Sequence, residues 1–600
     1  MNAEPKDKKP LGKFFTLSLR LQWQLTGWRS LVFPVFDVGL TVISIWRSYL
    51  YAQIINLIGS YLAGRVETVF PQFWWLIIIT AATGIFEPVA RNIQNYFSDN
   101  MNRRAEYKLD QLIAKRCSEL DAQYFEDPKF QDVLSRVQRL NVGWIMRNLS
   151  GILSDIVTIA ISAVAVLRLN WLLFFIAIVA TLPRLYSSFY TAGRYRKINI
   201  MLSEKRRLNW YLRDNLTEWR ALMELRPAGA IKSFFKRMVG NQQEMLDVEM
   251  KAQKKFSLIE GASDVIGIAA SVVSRVWLFL RIISTKGSFG LGDYTFYDSL
   301  ISRLENSSSS LVRNIRAVYE ELINVEDYFI LMNSVPVVEH RSDAIVLKEG
   351  SGIPTIEFRN VSFTYPGTQK KVLNGLSFHL QSGQKMALIG VNGAGKTTIV
   401  KLLLRFYDPS EGQILVDGVD LKNINLESWY KKLAIIQQDF NRYPLTVAQN
   451  ITFDPIGRAD TKRLKQAISD AQADFVYDLP KAEKTVLPRF FDDSVDLSGG
   501  QWQKIALARA FYRQAEMLVL DEPTSAIDAR AEAAIFHRLW QMQKDKGAIV
   551  ISHRFSTVRD ADLIVVIDNG KIAELGNHEL LMKKGGVYHE LFTKQAKSYQ

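Results

Sequence analysis

Apolar and polar positions divide the chain into two unlike halves. Residues 1–330 carry long apolar blocks, whereas residues 350–600 read as a water-soluble α/β domain. A membrane-spanning helix needs about 20 mostly apolar residues. Five stretches meet that length: 31–58 (LVFPVFDVGLTVISIWRSYLYAQIINLI), 72–92, a close pair at 149–168 and 171–191, and 258–284. A sixth candidate is polar. In 293–330 the apolar residues Tyr297, Leu300, Ile301, Leu304, Leu311, Val312, Ile315, Val318, Tyr319 and Leu322 recur every three or four positions, with a gap at four consecutive serines. That spacing predicts one long amphipathic helix. Six spans return the chain to its starting side.

The remaining positions of this helix include Asp298, Ser302, Arg303, Glu305, Asn306, Ser309, Ser310 and Arg313. Facing lipid they would be prohibitively costly. Three placements satisfy them. The membrane part could end by Leu304, leaving the serines in the cytosol. Asp298, Arg303 and Glu305 could pair with one another or with Asp264, Arg275 and Arg281 of the fifth span. Or Asp298, Ser302, Arg303, Glu305 and Asn306 could line a wet cavity for a polar cargo, which is the functional expectation.

Orientation follows from Lys and Arg in the connections. NRRAEYKLDQLIAKR (102–116) and GRYRKINIMLSEKRR (193–207) are basic and helical in pattern, so both should lie in the cytosol as extensions of long helices. Opposite them, 169–170 is a minimal turn. The N-terminus and the soluble half then share the cytosolic side. The segment LGKFFTLSLRLQWQLTGWRS (11–30) suits a helix on the membrane surface, or an ordinary amphipathic helix packed on protein. The formal net charge of +14 fits an anionic membrane face rather than nucleic acid. A single cysteine, Cys117, excludes an internal disulfide.

In the soluble half, GVNGAGKT (390–397) follows the strand-like KMALI and precedes the helical TIVKLLLRF. Strand, glycine loop and helix are the context a phosphate-binding loop requires. Gly393 and Gly395 let backbone N–H groups close around phosphate oxygens, Lys396 brings positive charge, and Thr397 can hold Mg²⁺. MLVLDE (517–522) is an apolar strand ending in two carboxylates. Asp521 would support Mg²⁺ and Glu522 would polarise the attacking water. Between them LSGGQ (497–501) opens a helix, and Ser498 with the N–H groups of Gly499 and Gly500 forms a second anion site. Two phosphate sites with one lysine loop point to a dimer that sandwiches nucleotide between chains.

LSGGQ, the phosphate loop and LDEPTSAID together resemble the nucleotide-binding domain of ABC transporters, over about 355–590. The resemblance implies ATP and Mg²⁺ held by Gly390, Asn392, Gly393, Ala394, Gly395, Lys396, Thr397 and Thr398 of one chain and by Ser498, Gly499, Gly500 and Gln501 of the other. It also implies a Tyr365 that stacks on adenine, a Gln438 that senses the γ-phosphate and helps hold the metal, an Asp528 that faces the partner, and a His553 on the γ-phosphate. Three positions depart from the family pattern. Asp492 stands where Glu is usual, Trp502 where Arg is common, and Gln449 where Glu is frequent.

Six spans before one such domain resemble the exporter class with fused halves. The implied architecture is a helical membrane domain over 1–335, a linker over 336–354 and an α/β ABC ATPase domain over 355–600. YFEDPKFQDVLSRV (124–137) and ELRPAGAIKSF (224–234) occupy the places of the short cytosolic helices that press on the ATPase domains. The expected activity is ATP-driven export of a polar or amphipathic peptide by a homodimer in a bacterial inner membrane. Flipping of a lipid or lipid-linked oligosaccharide, multidrug export, and an ATP-gated channel or regulator are the alternatives. A heterodimer containing this chain as its competent half is the alternative assembly.

Overall fold

The computed structural model describes residues 11–64, 70–284, 289–338, 343–454, 459–488, 494–522, 535–537, 546–552 and 558–597. The chain forms two compact units. One comprises Met1–Ser118 and Lys129–Ser334, the other Glu119–Pro128 and Val335–Gln600.

The first unit is helical. Its elements are α1 (Leu11–Thr26), α2 (Arg29–Leu62), α3 (Phe70–Glu119), α5 (Pro128–Val137), α6 (Val142–Leu169), α7 (Trp171–Met201), α8 (Ser203–Thr217), α9 (Trp219–Leu225), α10 (Ile231–Ser284) and α11 (Leu291–Asn333). A short α4 (Ala122–Glu126) lies in the second unit. Among the described residues five helices, α2, α3, α6, α7 and α10, are long and apolar enough to cross a membrane. They contain the five apolar blocks read from the sequence. Helices α3 and α10 run for 50 and 54 residues. At about 1.5 Å per residue they far exceed a ~30 Å hydrocarbon layer, so each continues well beyond its apolar part.

Helix α11, expected as the sixth span, is not among these five. It runs unbroken through the serines, for 43 residues. Ser308 and Ser309 donate to the carbonyls of Leu304 (2.7 Å) and Glu305 (3.1 Å) in their own helix, which satisfies the hydroxyls without outside partners. It packs on α6, α2 and α7, while α10 packs on α7. Leu300 and Ile301 of α11 share a buried cluster with Ile45, Val166, Leu173 and Leu278.

Two local readings change. The segment 124–137 is not one helix. Asp127, extended because it precedes Pro128, separates α4 from α5. The second short helix lies at Trp219–Leu225, ahead of the expected 224–234. Pro227 and Gly229, the latter at φ +63°, turn the chain there, and α10 begins at Ile231.

At one end of the first unit α2 and α11 meet through backbone. A Cβ on Gly292 would lie 1.9 Å from the Ala52 carbonyl oxygen. Asn56 donates to Asp293 (3.0 Å) and accepts from the Gly292 amide (2.8 Å), so one side chain ties the start of α11 to α2.

The second unit carries a four-stranded sheet, order β2-β1-β4-β5, and a six-stranded sheet, order β12-β11-β3-β10-β9-β6. The strands are β1 (Ile356–Thr364), β2 (Lys371–Leu380), β3 (Lys385–Gly390), β4 (Glu411–Val416), β5 (Val419–Asp420), β6 (Leu433–Ile436), β9 (Met517–Asp521), β10 (Gly547–Ile551), β11 (Leu563–Asp568) and β12 (Lys571–Gly576). A short pair, β7 (Leu445–Thr446) and β8 (Val486–Leu487), lies apart. In the larger sheet β6, β9, β10, β3 and β11 are parallel and β12 closes the edge antiparallel. Strands β3, β9 and β10 are buried at nearly every position, as expected of a parallel sheet covered on both faces. One core packs Phe358, Leu388, Ile399, Trp429 and Val519 between the sheets and α12 (Lys396–Leu403). Another packs Leu464, Trp502, Ile505, Leu518 and Val550 under α15 (Thr461–Asp470) and α16 (Gly499–Arg513).

Substituting Gly292→Ala should force α2 and α11 apart and destabilise the membrane unit by about 1–3 kcal/mol, the usual cost of overpacking. The check is the thermal unfolding midpoint of the purified protein, which should fall.

Candidate functional site

The carboxyl ends of the parallel strands gather the predicted residues. β3 ends at Gly390, and the loop to α12 turns through Gly393 (φ +80°) and Gly395 (φ +105°). A Cβ on Gly395 would meet Leu373 at 2.6 Å, so that position requires glycine for space as well as for backbone angle. Lys396 opens α12 and folds back, its Nζ donating to the carbonyls of Gly390 (2.8 Å) and Val391 (3.1 Å). Burial holds the Lys396 ammonium below its ordinary pKa, against the opposing pull of Glu522 and Asp521. Ala394 and Thr398 are buried, and Asn392 and Thr397 are exposed.

β9 delivers the two carboxylates. Asp521 is buried, and Glu522 follows at φ +48°. Its amide donates to the Ile551 carbonyl at 3.0 Å, extending the β9–β10 ladder by one residue. Gln438 follows β6, the neighbour of β9, and its Nε2 donates to Glu522 Oε2 at 2.9 Å. From α16, Gln503 Nε2 lies 3.5 Å from the Glu522 carbonyl oxygen, a contact the sequence reading missed.

A cavity of about 570 Å³ opens over these groups. It is lined by Tyr365, Val372, Asn392, Gly393, Gly395, Lys396, Thr397, Thr398, Gln438 and Glu522. Tyr365 comes from the chain just after β1, and its hydroxyl lies 3.1 Å from Thr398 Oγ1. The space that a Gly393 side chain would occupy is open, with nothing within 4 Å of a built Cβ. A bare backbone loop, a buried ammonium and an aromatic wall fit a nucleotide triphosphate. Ser498, Gly499, Gly500 and Gln501 do not line this cavity. Ser498 instead caps α16: its hydroxyl accepts from the Gln501 amide (3.2 Å), and Gln501 Oε1 accepts from the Ser498 amide (2.9 Å). Asp528, His553 and Asp492 lie outside the described residues.

Two departures gain a physical account. Trp502 is fully buried in the helical core, with the Arg442 guanidinium 5.8 Å from its ring centroid and Nε1 3.5 Å from Asp496 Oδ1. The indole fills this buried space and keeps a cation against its face. Gln449 closes a capping box with Thr446 at the start of α14 (Val447–Thr452), its Oε1 accepting the Thr446 amide at 3.0 Å. Glutamine and glutamate serve that position equally.

The family profile described as ABC transporter matches residues 373–525. An ATP-dependent lipid A-core flippase of Haemophilus influenzae (strain 86-028NP) is 31% identical over 407 residues, which span 66% of this chain and 68% of that protein. The chain belongs to the ABC transporter family. As an ABC half-transporter it carries a helical membrane domain fused to its ATPase domain, it hydrolyses ATP, and it couples that hydrolysis to export across the membrane it spans. The subtilin transport ATP-binding protein SpaT of Bacillus subtilis is 28% identical over 563 residues, 93% of this ABC transporter and 90% of SpaT. The solved structure of a bacterial Atm1-family ABC exporter with ATP bound shares the fold, with a TM-score of 0.78 and 24% identity over 98% of this chain and 99% of that one.

The Glu522 carboxylate stands at the cavity wall, where a general base for water would act. Glu522→Gln keeps shape and hydrogen bonding but removes the carboxylate that would accept a proton. It should leave ATP binding intact and lower turnover by a factor of about 10²–10⁴, measured as steady-state phosphate release beside nucleotide binding.

Proposed function

We propose that this chain is one half of a homodimeric exporter that moves a polar or amphipathic peptide carrying positive charge. The observation that carries the cargo reading is Glu305. Several ionisable groups near it in the membrane unit are matched. Arg275 pairs with Asp298 (2.7 Å) and reaches Ser302 (3.4 Å). Arg184 pairs with Asp264 (2.9 Å). Asn314 donates to Asp155 (2.9 Å) and Gln94 to Asp37 (2.6 Å). Glu305 is half-buried on α11 and accepts no hydrogen bond at its carboxylate from any described residue. The cations within its electrostatic reach, Arg184 and Arg275, are those already paired. A carboxylate left over at membrane depth suits a cationic group supplied by cargo. Asn306 is exposed beside it, and Asp298, Ser302 and Arg303 shape the same stretch of helix.

The membrane would be a bacterial inner membrane, with α1 and the ATPase domain on the cytosolic side, in keeping with the basic connections. Two ATP molecules would lie between Gly390–Thr398 of one chain and Ser498–Gln501 of its partner. That arrangement accounts for a signature turn that does not line its own chain's nucleotide cavity. Lys396 would hold the outer phosphates, Thr397, Asp521 and Gln438 the Mg²⁺, and Tyr365 the adenine. Bound Mg²⁺ would shield the phosphate charge. Glu522 would take the proton of the attacking water, while Gln438, bonded to Glu522, orients that carboxylate. His553 and Asp528 would complete the site from the γ-phosphate and partner sides.

A second cargo reading rests on a different cluster. Arg47 and Arg91 both pair with Glu87, at 2.8 and 3.1 Å. Arg303 is bound only by hydroxyl and carbonyl oxygens of Ser44, Ser48 and Ser299. Two guanidinium groups share the Glu87 carboxylate and the third is paired with no described carboxylate, a surplus suited to an anionic lipid headgroup and to the flippase relatives.

The two readings separate in lipid-reconstituted protein. Under the peptide reading Glu305→Gln lowers ATPase stimulation by a cationic amphipathic peptide about tenfold, equivalent to ~1.4 kcal/mol, and Arg303→Gln does not. Stimulation by a phosphate-bearing lipid, lost in Arg303→Gln and intact in Glu305→Gln, would replace it with the flippase reading.

A further inference from the structure

The aromatic wall of the nucleotide cavity is tied to α4 through Lys401, a residue that does not line the cavity. Lys401 projects from α12, one turn beyond Thr398. Its Nζ lies 5.4 Å from the Tyr365 ring centroid and 6.0 Å from that of Tyr407. The two tyrosines meet edge to face, centroids 5.4 Å apart, and Phe363 braces Tyr365 at 4.9 Å. The same ammonium donates to Glu126 Oε1 at 2.7 Å, and the Tyr407 hydroxyl donates to Glu126 Oε2. Both oxygens of Glu126 are thus engaged by the group that braces Tyr365.

Glu126 is the last residue of α4, which is fastened to its own unit at the other end as well. Asp121 accepts the amides of Val337 (2.6 Å) and Val338 (3.0 Å), and the Tyr124 hydroxyl donates to the Val335 carbonyl (2.7 Å). Burial pushes the Glu126 carboxyl up, but the hydrogen bonds from Lys401 and Tyr407 outweigh it and hold the pKa below the ordinary value. Burial and Glu126 together raise the Tyr407 phenol. The carboxylate therefore stays charged and Tyr407 stays a donor across the physiological range.

We propose that Lys401 is a positioning residue for the base of ATP, holding the Tyr365 ring and linking its occupancy to Glu126 on α4. A cation against an aromatic ring fixes the ring's place, and the Glu126 carboxylate holds that ammonium where it does so. A base stacked on Tyr365 and a carboxylate on α4 then share one charge. Movement of α4 alters the base site, and filling the base site alters the grip on α4. This rests on the reading of Tyr365 as the adenine wall.

The test uses the full chain in lipid and two probes. ATP engages both the base wall and the phosphate loop, whereas inorganic tripolyphosphate, as a competitive inhibitor, engages the loop alone. Lys401→Ala and Glu126→Gln should each raise the ATP concentration for half-maximal hydrolysis about fivefold, with the tripolyphosphate inhibition constant unchanged. The double variant should be no worse than either single one, and Lys401→Arg should restore the wild-type value. A loss of ATP and tripolyphosphate affinity in equal measure, additive effects, or no effect would overturn the proposal. Tyr365→Ala is the control. If it too fails to separate ATP from tripolyphosphate, the adenine assignment itself is wrong. If it separates them and Lys401→Ala does not, only the role of Lys401 falls.

Discussion

The hydrogen bond from the Glu522 amide to the Ile551 carbonyl fixes where the Glu522 carboxylate stands. It carries the parallel β9–β10 ladder past the end of β9, at a residue held at φ +48°. A non-glycine residue in that region is strained by about 1–3 kcal/mol, and such strain persists only where the surroundings enforce it. Here the enforcement is the sheet. β10 lies between β9 and β3, so the carboxylate at one strand end and the phosphate loop at another stand at a fixed separation. β6 on the far side of β9 brings Gln438 to Glu522. The cavity follows from strand order, as ligand sites in parallel sheets generally do.

The membrane unit is governed by a different constraint. Charge at membrane depth is costly unless paired, and the ion pairs of this unit run mostly between helices rather than within them. Arg275 and Asp298 join α10 to α11, Arg184 and Asp264 join α7 to α10, and Arg47 and Glu87 join α2 to α3. These pairs hold together helices that lack the hydrophobic drive available to water-soluble bundles. Against that background Glu305 and Arg303 stand out, one a carboxylate without a described partner and the other a guanidinium held by neutral oxygens.

Much of this was legible in the sequence because its signals are local. The phosphate loop announces itself through glycine spacing, the spans through apolar length, and α11 through three-and-four periodicity. What escaped depends on partners distant in the chain. Nothing near Lys401 in sequence points to Glu126, and nothing near Arg303 points to Ser44. Pairing of Asp298 with Arg275 is foreseeable from charge on neighbouring spans, whereas the tie from Arg303 to the serines of α2 is not. Trp502 looked anomalous because its burial under α15 and Arg442 is a tertiary fact. The capping role of Gln449 was readable, since threonine with glutamine three residues on is a recognised helix start. The expected segment 224–234 is centred on Pro227–Gly229, residues that end helices, so α9 lies ahead of it.

The strand order of the larger sheet has a consequence for how the molecule is made. β3, which carries the phosphate loop, pairs on one side with β10 and on the other with β11, and Lys385 is matched to Ala548 across the first of these ladders. Such non-local pairing must wait for the later strands to be synthesised. The membrane helices leave the ribosome first, while the glycine loop after β3 has no complete sheet to lock into until nearly the last of the chain has emerged. Biogenesis is thereby ordered by topology, with the engine assembled only after the conduit it drives has been laid down.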